Sequence, residues 1–469
     1  MLERLSPPVP HTPIEVPIGG ASFPAPFPSK LEFNPASHGT WNIVHIGMNV
    51  PESQQIYVCA INCMRGVVLT AAEMNASDRF SFVLLREEDL VEGTVEDITI
   101  EGVADVIRRL PRRPPAVCLF TVCTHHFLGC DLNRIYRELE RAFPDIDFIR
   151  GYMDPIMQKE SPSPDLKLRR DMYAVLPALP VRRKHAAILG HNISLYDDSD
   201  LFAWLDHLGW TWEQMPDCAT YEEYKSMGAA ELFLSCVPNG KAAVENLARR
   251  LGRQALYLPM TFSYDEIEAQ YRELARVCAS GQMPVPADWD GDHLAASGDS
   301  DFPSTSWESR YFAENRALCD READLTRVYL NGAPIQIDYT AHPRPLGLAR
   351  YLLERGFCVE KVYLNGISGE EKKDFDWLVQ HHPGLILASS ILPACRVTPR
   401  ANDRRILAIG QQAAWFNSTG HFVNIVEGAD MQGFDGIRQM LALMRDAWEY
   451  EKDTRDLIPR KGLGCASCI

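Results

Sequence analysis

Residues Ala116 to Glu138, AVCLFTVCTHHFLGCDLNRIYRE, limit what this chain can fold into more than any other stretch. Val117 to Val122 is a short apolar run of strand formers, and Asp131 opens a segment whose Leu132, Ile135 and Leu139 recur at helical spacing. The order strand, turn, helix belongs to parallel α/β architecture. The turn holds Cys123, His125, His126 and Cys130, and the helix beyond it presents amides that favour anionic groups or thiolates. This is a place to hold a metal. Cys59 and Cys63, in CAINC, follow another apolar run, Gln55 to Val58, and reach the same place from a neighbouring strand end. The competing reading is ordinary packing, because free cysteine is among the most buried residue types.

The same alternation runs through the chain. Residues 1–40 form a Pro-rich arm, Pro7 to Pro35, with prolines too frequent for helix or central strand; such arms wrap a partner or their own body. In a first α/β domain, 41–183, strands are predicted at Trp41 to Gly47, before CAINC, at Phe80 to Leu85 and at Val117 to Val122, with helices at Met64 to Met74 and Ile98 to Leu110. A second domain, 184–280, has strands at HAAILG, Ala230 to Cys236 and Ala255 to Leu258, and helices at Asp200 to Leu208 and Lys241 to Leu251. Ligands bind at the carboxyl ends of strands in such sheets, and Cys236 lies at one of them, ahead of a predicted turn of Pro238, Asn239 and Gly240. Residues 281–324 form a connecting segment, rich in Asp, Ser, Gly and Pro up to Ser306. A third α/β domain, 325–450, is followed by a tail, 451–469.

Composition narrows the function. A chain of 469 residues is too long for one core and is expected to split into about three domains. A net charge of −16 argues against nucleic acid and anionic membrane surfaces as partners. No apolar run approaches the roughly 20 residues that span a bilayer, and no export signal is recognisable, so the expected location is the cytoplasm. Thirteen cysteines in such a chain fit reduced thiols and metal ligation better than a disulfide framework.

Absent motifs narrow it further. There is no Walker A sequence, no G-x-G-x-x-G after a strand and no G-x-S-x-G elbow. A zinc site at Cys123, His125, His126 and Cys130 ranks below an iron–sulfur cluster, since adjacent histidines after a strand are more often one packed and one solvated, and apart from the tail pair Cys465 and Cys468 the cysteines do not form paired knuckles. A cluster takes four or more ligands, while the neighbourhood of Cys123 offers two or three; the remainder would come from a second subunit.

The order CAINCMRG, then TVCTHHFLGCDL, then LFLSC before a turn and helix resembles the catalytic component of nitrogenase and nitrogenase-like reductases, over roughly Ser37 to Ala447. That resemblance implies an α/β fold of three Rossmann-like parallel-sheet domains. It also implies a P-cluster-like 8Fe-7S cluster between two homologous subunits of an α2β2 heterotetramer, and a larger nitrogenase-type iron–sulfur cofactor. By position Cys63 and Cys123 match two of the family's P-cluster cysteines; the third falls near Pro35 to Gly39, where no cysteine stands, and Cys59, read as one helical turn before Cys63, is the expected substitute. Cys236 falls where the cofactor-bearing subunit supplies its cysteine ligand. The ligand at the cofactor's far end is expected from Glu427 or His421. After GYMDP the family's substrate-pocket histidine and glutamine are replaced by Met153, Asp154 and Met157, which argues against dinitrogen as substrate.

The run GTWNIVHIGMNVPE is similar to the methylthio-alkane reductases, which cleave C–S bonds in small organic sulfides such as dimethyl sulfide and 2-(methylthio)ethanol to release methanethiol. The resemblance implies electrons from a homodimeric, ATP-hydrolysing 4Fe-4S reductase. A cofactor-assembly scaffold and a tetrapyrrole-type reductase are the rival readings, and Cys236 is unnecessary for the second. Elsewhere Cys218, Cys278, Cys319, Cys358 and Cys395 read as packing residues, and strand alternation turns Cys118 away from Cys123. Cys130 either lines the cluster pocket or packs, and Arg65 stands beside Cys63, where it would offset cluster charge. His45 and His191 either line a cofactor cavity or serve as satisfied core histidines, the commoner role. Cys465 and Cys468 end a Gly-rich tail.

Overall fold

A computed structural model describes residues 14–28, 32, 40, 42–154, 157, 162–280, 306–396, 404–429 and 431–453. Pro35 to Gly39, most of the predicted connection (281–305) and Cys465 and Cys468 lie outside the described residues.

Among the described residues the strands are β1 (Glu15–Pro17), β2 (Gln54–Cys59), β3 (Phe80–Leu84), β4 (Ala116–Val122), β5 (Asp147–Met153), β6 (Arg182–Ile188), β7 (Thr211–Gln214), β8 (Ala230–Ser235), β9 (Gln254–Tyr257), β10 (Pro334–Asp338), β11 (Cys358–Tyr363), β12 (Ile386–Ala388), β13 (Leu407–Ile409) and β14 (Phe422–Val423). They form three sheets, ordered β3-β2-β4-β5, β7-β6-β8-β9 and β1-β12-β11-β10-β13-β14. Every pairing is parallel except that of β1 with β12. In each sheet the chain builds outward from one strand and then reverses, so switch points lie between β2 and β4, between β6 and β8, and between β10 and β13. Each site cysteine expected from the sequence stands at, or just beyond, the carboxyl end of a strand bordering such a point.

The middle sheet joins the three into one packed body. Ala187, Leu189 and Phe233 face a core shared with the first sheet, while Ala186, Ile188, Leu232, Leu234 and Cys236 face a core shared with the third. That division is the two-residue period of a strand buried on both faces. It fixes the side on which Cys236 lies.

Several expectations are corrected. Of the strand expected at Trp41 to Gly47, Trp41 lies outside the described residues and the rest is not a strand: Ile43–Met48 is a helix, because the Asn42 side chain accepts from Val44 N and His45 N and caps it. Pro238, Asn239 and Gly240 are not a turn but the first turn of the helix Pro238–Leu251, where proline costs no hydrogen bond. The helix Ser306–Leu330 begins inside the predicted connecting segment. The described part of the Pro-rich arm lies on its own body: β1 extends the third sheet, Ile18 is fully buried, and Ile18 N donates to Leu385 O at 2.8 Å.

Candidate functional site

At the first switch point β2 ends at Cys59, Ala60 turns the chain, and Cys63 stands in the first turn of the helix Ile61–Glu73. Cys59 is therefore a strand terminus, and not one helical turn before Cys63. Its thiol is buried, and burial, with Cys63 second, pushes it up to about 12. Cys63 is exposed, and Cys123, which opens the short helix Cys123–Phe127 at the end of β4, is half-buried. Around them Ile61 (66% exposed), Val68, Leu84, Phe127 (69%) and Leu128 leave apolar surface in water at the carboxyl edge of the sheet. Cys118 is fully buried within β4, its Sγ 3.9 Å from Gly47 O.

The four-residue zinc reading fails on His125. Its Nδ1 accepts from Val122 N at 3.3 Å, and its Nε2 donates to Thr99 Oγ1 at 3.1 Å, so both nitrogens are spent on the fold. Burial lowers its pKa to about 4. His126 is exposed, its Nδ1 3.8 Å from Asp154 Oδ2, and Cys130 is half-buried with its thiol raised by burial and then by Glu96. Among the described residues no group of three or more His, Cys, Asp or Glu side chains is arranged to hold a metal ion. The first crevice thus presents two accessible thiols in an apolar surface, which suits a cluster completed by a second chain.

The second crevice lies where all three sheets meet. Cys236 follows β8, fully buried in an apolar cluster, and burial alone pushes its thiol far up. Gly190 and Gly240 pass so closely that a side-chain carbon on Gly190 would lie 2.8 Å from Gly240 Cα, which brings the end of β6 against the Cys236 segment. Asn192 joins the walls: its Oδ1 accepts from Asn49 Nδ2 and from Arg169 Nη2, each at 3.2 Å, and its Nδ2 donates to Glu427 Oε2 at 3.2 Å. His342, past the end of β10, adjoins Gly428, where a side-chain carbon would lie 3.2 Å from its Cδ2 and 2.7 Å from Met260 Sδ. Met260 N in turn donates to Cys236 O at 3.3 Å.

His421 is corrected by this geometry. It precedes β14, at the strand's amino end, where Nδ1 donates to Ala447 O at 3.0 Å and Nε2 stands 3.2 Å from Glu451 Oε1. Glu427 lies beyond the carboxyl end and lines the crevice. Asn49, Arg169, Asn192 and His342 went unnoticed in the sequence; only the position of Asn192 after the HAAILG strand hinted at it. Of the predicted packing cysteines, Cys319 and Cys395 are buried, Cys218 and Cys278 are half-buried, and Cys358 is exposed.

A buried thiol, Cys236, and two imidazoles with unpartnered nitrogens, both of His191 and Nε2 of His342, stand in this region, residue types that bind metals, although only His191 lines the cavity itself. The space is smaller than the chemistry: the cavity between His191, Val237 and Glu427 is about 10 Å³, room for about one water. A group of several iron atoms does not fit that space.

One prediction follows from His342, whose Nδ1 accepts from Arg344 N at 3.0 Å and whose pKa is lowered to about 3 by burial and then by Arg344. A histidine neutral in the fold stabilises fully above its unfolded value, 6.5, and that stability is lost as pH falls toward about 3. The loss is about 1.4 kcal/mol per pH unit, or about 2 kcal/mol between pH 7 and 5. Asp200, raised to about 6 by burial, acts in the opposite sense, so the measurement compares variants. Urea unfolding of the cluster-free chain is expected to show His342→Gln losing that much less stability than the parent over this interval. Parallel pH profiles would refute it.

Three doubly wound sheets packed as one body, with cysteines at the strand ends that border two of their switch points, define an α/β architecture of Rossmann-like units. Residues 59–404 match the family of nitrogenase component 1 type oxidoreductases, and the chain belongs to that family. The fold is also that of the solved structure "Nitrogenase Cp1 at pH 6.5", with a TM-score of 0.62 and 13% identity over 90% of this chain and 94% of that one. "Nitrogenase Cp1 at pH 5" gives 0.57 and 11% identity over 93% of each chain. No curated protein matches the sequence. Among the described residues no helix is long and apolar enough to cross a membrane.

Proposed function

We propose that this chain is the cofactor-bearing, catalytic subunit of a nitrogenase-like reductase that cleaves C–S bonds in small methylthio-alkanes. The observation that carries the reading is Cys236, a thiol held at the carboxyl end of a strand, on the face of the second sheet that turns toward the third. Metal binding displaces a thiol proton that burial otherwise retains. When bound there, an iron–sulfur cofactor supplies several electrons at low potential. Cys236 would hold it, Asn192 holds the Glu427 carboxylate by a hydrogen bond, and the apolar residues around Cys236 would exclude water. Cleavage of R–S–CH3 consumes two electrons and two protons and yields RH and methanethiol.

Electrons need a route, and the chain carries no motif coupling their delivery to ATP, so a separate ATP-hydrolysing iron–sulfur reductase docks. Cys63 and Cys123 would hold a P-cluster-like centre, shared with a homologous subunit in an α2β2 assembly, that would supply the relay. The exposed apolar rim of Ile61, Val68 and Phe127 supports that sharing, since isolated chains rarely leave such surface uncovered. The chain expressed alone is accordingly expected to hold little iron, and co-expression with its homologous partner to raise it severalfold; a full complement in the monomer would count against a shared cluster.

The activity is tested by anaerobic purification with both partners, iron and molybdenum analysis, and methanethiol measured from dimethyl sulfide with ATP. An iron-loaded complex that hands its cofactor to another protein and releases no methanethiol would establish the scaffold reading instead.

A further inference from the structure

A cavity of about 520 Å³ lies between the loop that follows β6 and two helices, and none of its lining residues belongs to either crevice. Small-molecule sites typically enclose roughly 300–1,000 Å³. The loop contributes Tyr196, Asp198 and Ser199. The helix Ser306–Leu330 contributes Leu318 and Glu322, four residues apart, and the helix Gly433–Glu449 contributes Asp435, Arg438 and Ala442, three and four apart. Residues at that spacing share one face of a helix, so two helix faces and a loop wall one hollow.

One wall holds a hydroxyl that the fold does not use. Ser199 is 4% exposed and its Oγ has no hydrogen-bond partner, although buried polar atoms are paired as a rule. The residue stands at the N-cap of the helix Asp200–His207, where a serine ordinarily accepts from backbone N–H groups of the first turn, yet its side chain caps nothing. The backbone around it is fixed. Ser199 N donates to Tyr196 O and Phe202 N donates to Ser199 O, each at 2.9 Å. Asp200 Oδ2 accepts from Phe434 N at 2.9 Å, which ties this helix to the one forming the facing wall. The hydroxyl is therefore held at the cavity with its bonding capacity unspent.

Charge decides what could use it. Of the four charged side chains on the walls, three are carboxylates, Asp198, Glu322 and Asp435. The fourth, Arg438, is committed: Nη1 donates to Asn315 Oδ1 at 2.8 Å and Nη2 pairs with Asp435. Glu322 pairs with Arg445 at 2.9 Å, and Asp198 has no ion pair among the described residues. An entering anion would meet a negative excess, whereas a cation would be drawn in. Leu318, Ala442 and the ring of Tyr196, which is 59% exposed, supply apolar surface and an aromatic face.

We propose that this cavity binds a small organic cation, an amine whose N–H groups bond Ser199 Oγ and Asp198 while its apolar body lies on Leu318, Ala442 and the Tyr196 ring. The site is separate from the reductase chemistry and does not rest on it. A hydroxyl oxygen accepts from an ammonium as a carboxylate does, which gives the buried Ser199 Oγ its partner.

The test uses the full chain purified anaerobically with its partners, titrated calorimetrically with hexylamine and, for comparison, with hexanol and hexanoate of the same length. Saturable binding of hexylamine alone is expected, weakening as salt is raised. Asp198→Lys, a change on an exposed loop that leaves the core intact, is expected to abolish it. Ser199→Ala is expected to weaken it severalfold with the thermal midpoint unchanged, because the hydroxyl caps no helix. No saturable binding, equal binding of hexanol or hexanoate, or binding that either variant leaves intact would overturn the proposal. So would a lowered thermal midpoint for Ser199→Ala, which would mark the hydroxyl as a structural group.

Discussion

Cys236→Ala is expected to abolish methanethiol release while leaving the subunit folded and the first-crevice cluster filled. The side chain is fully buried and its thiol contacts apolar residues, so replacing sulfur by hydrogen leaves a small cavity, a loss of about 1 kcal/mol. That is small against the stability of a chain with two large buried cores. The catalytic effect is of another order, because no second thiol stands at the end of β6 or β8 to take over the anchor. Iron analysis, circular dichroism and methanethiol assay on one preparation separate the outcomes. A variant that keeps both activity and full iron content would sink the assignment as cofactor-bearing subunit and advance the tetrapyrrole and scaffold readings.

Cys63→Ala and Cys123→Ala are each expected to empty the first-crevice cluster and to stop electron delivery, with activity falling to background. Cys118→Ala, five residues before Cys123, is expected to keep both. The contrast comes from exposure: Cys63 is open to solvent and Cys123 partly so, whereas Cys118 is closed within β4, where burial pushes its thiol up to about 12. Ionising it as a ligand would require opening the core between the first sheet and the helix Ile43–Met48. Cys59 is the informative intermediate, since it borders the same switch point but is fully buried. If Cys59→Ala empties the cluster as completely as Cys63→Ala, Cys59 supplies the ligand missing near Pro35 to Gly39; if iron is retained, that ligand comes from elsewhere. Iron counts and paramagnetic resonance decide, and equal losses in all four variants would show that the distinction by burial is wrong.

The α/β units were legible because strands such as β4 and β8 are largely apolar runs followed by helical periods, signals that reside within a dozen residues. The same locality explains why Cys59, Cys63, Cys123 and Cys236 were placed at strand ends. It also explains the errors. Asn42 capping a helix reverses the reading of Trp41 to Gly47 through two side-chain hydrogen bonds, and a proline at a first helical turn looks like a loop.

What the sequence by itself determined was the fold class, the positions of the thiols along the strands and the chemistry those thiols allow. Which of them share a crevice, and which face solvent, depended on strand order and packing between sheets, which join residues more than a hundred positions apart. His421 and Glu427 lie six residues apart and are indistinguishable by spacing, yet a parallel strand carries them to opposite edges of its sheet. Asn192 reaches Asn49 in one direction and Glu427 in the other, across 143 and 235 residues, and His191 is left unpartnered beside it. No local period encodes such contacts, because they arise only when three separately wound sheets close on one another.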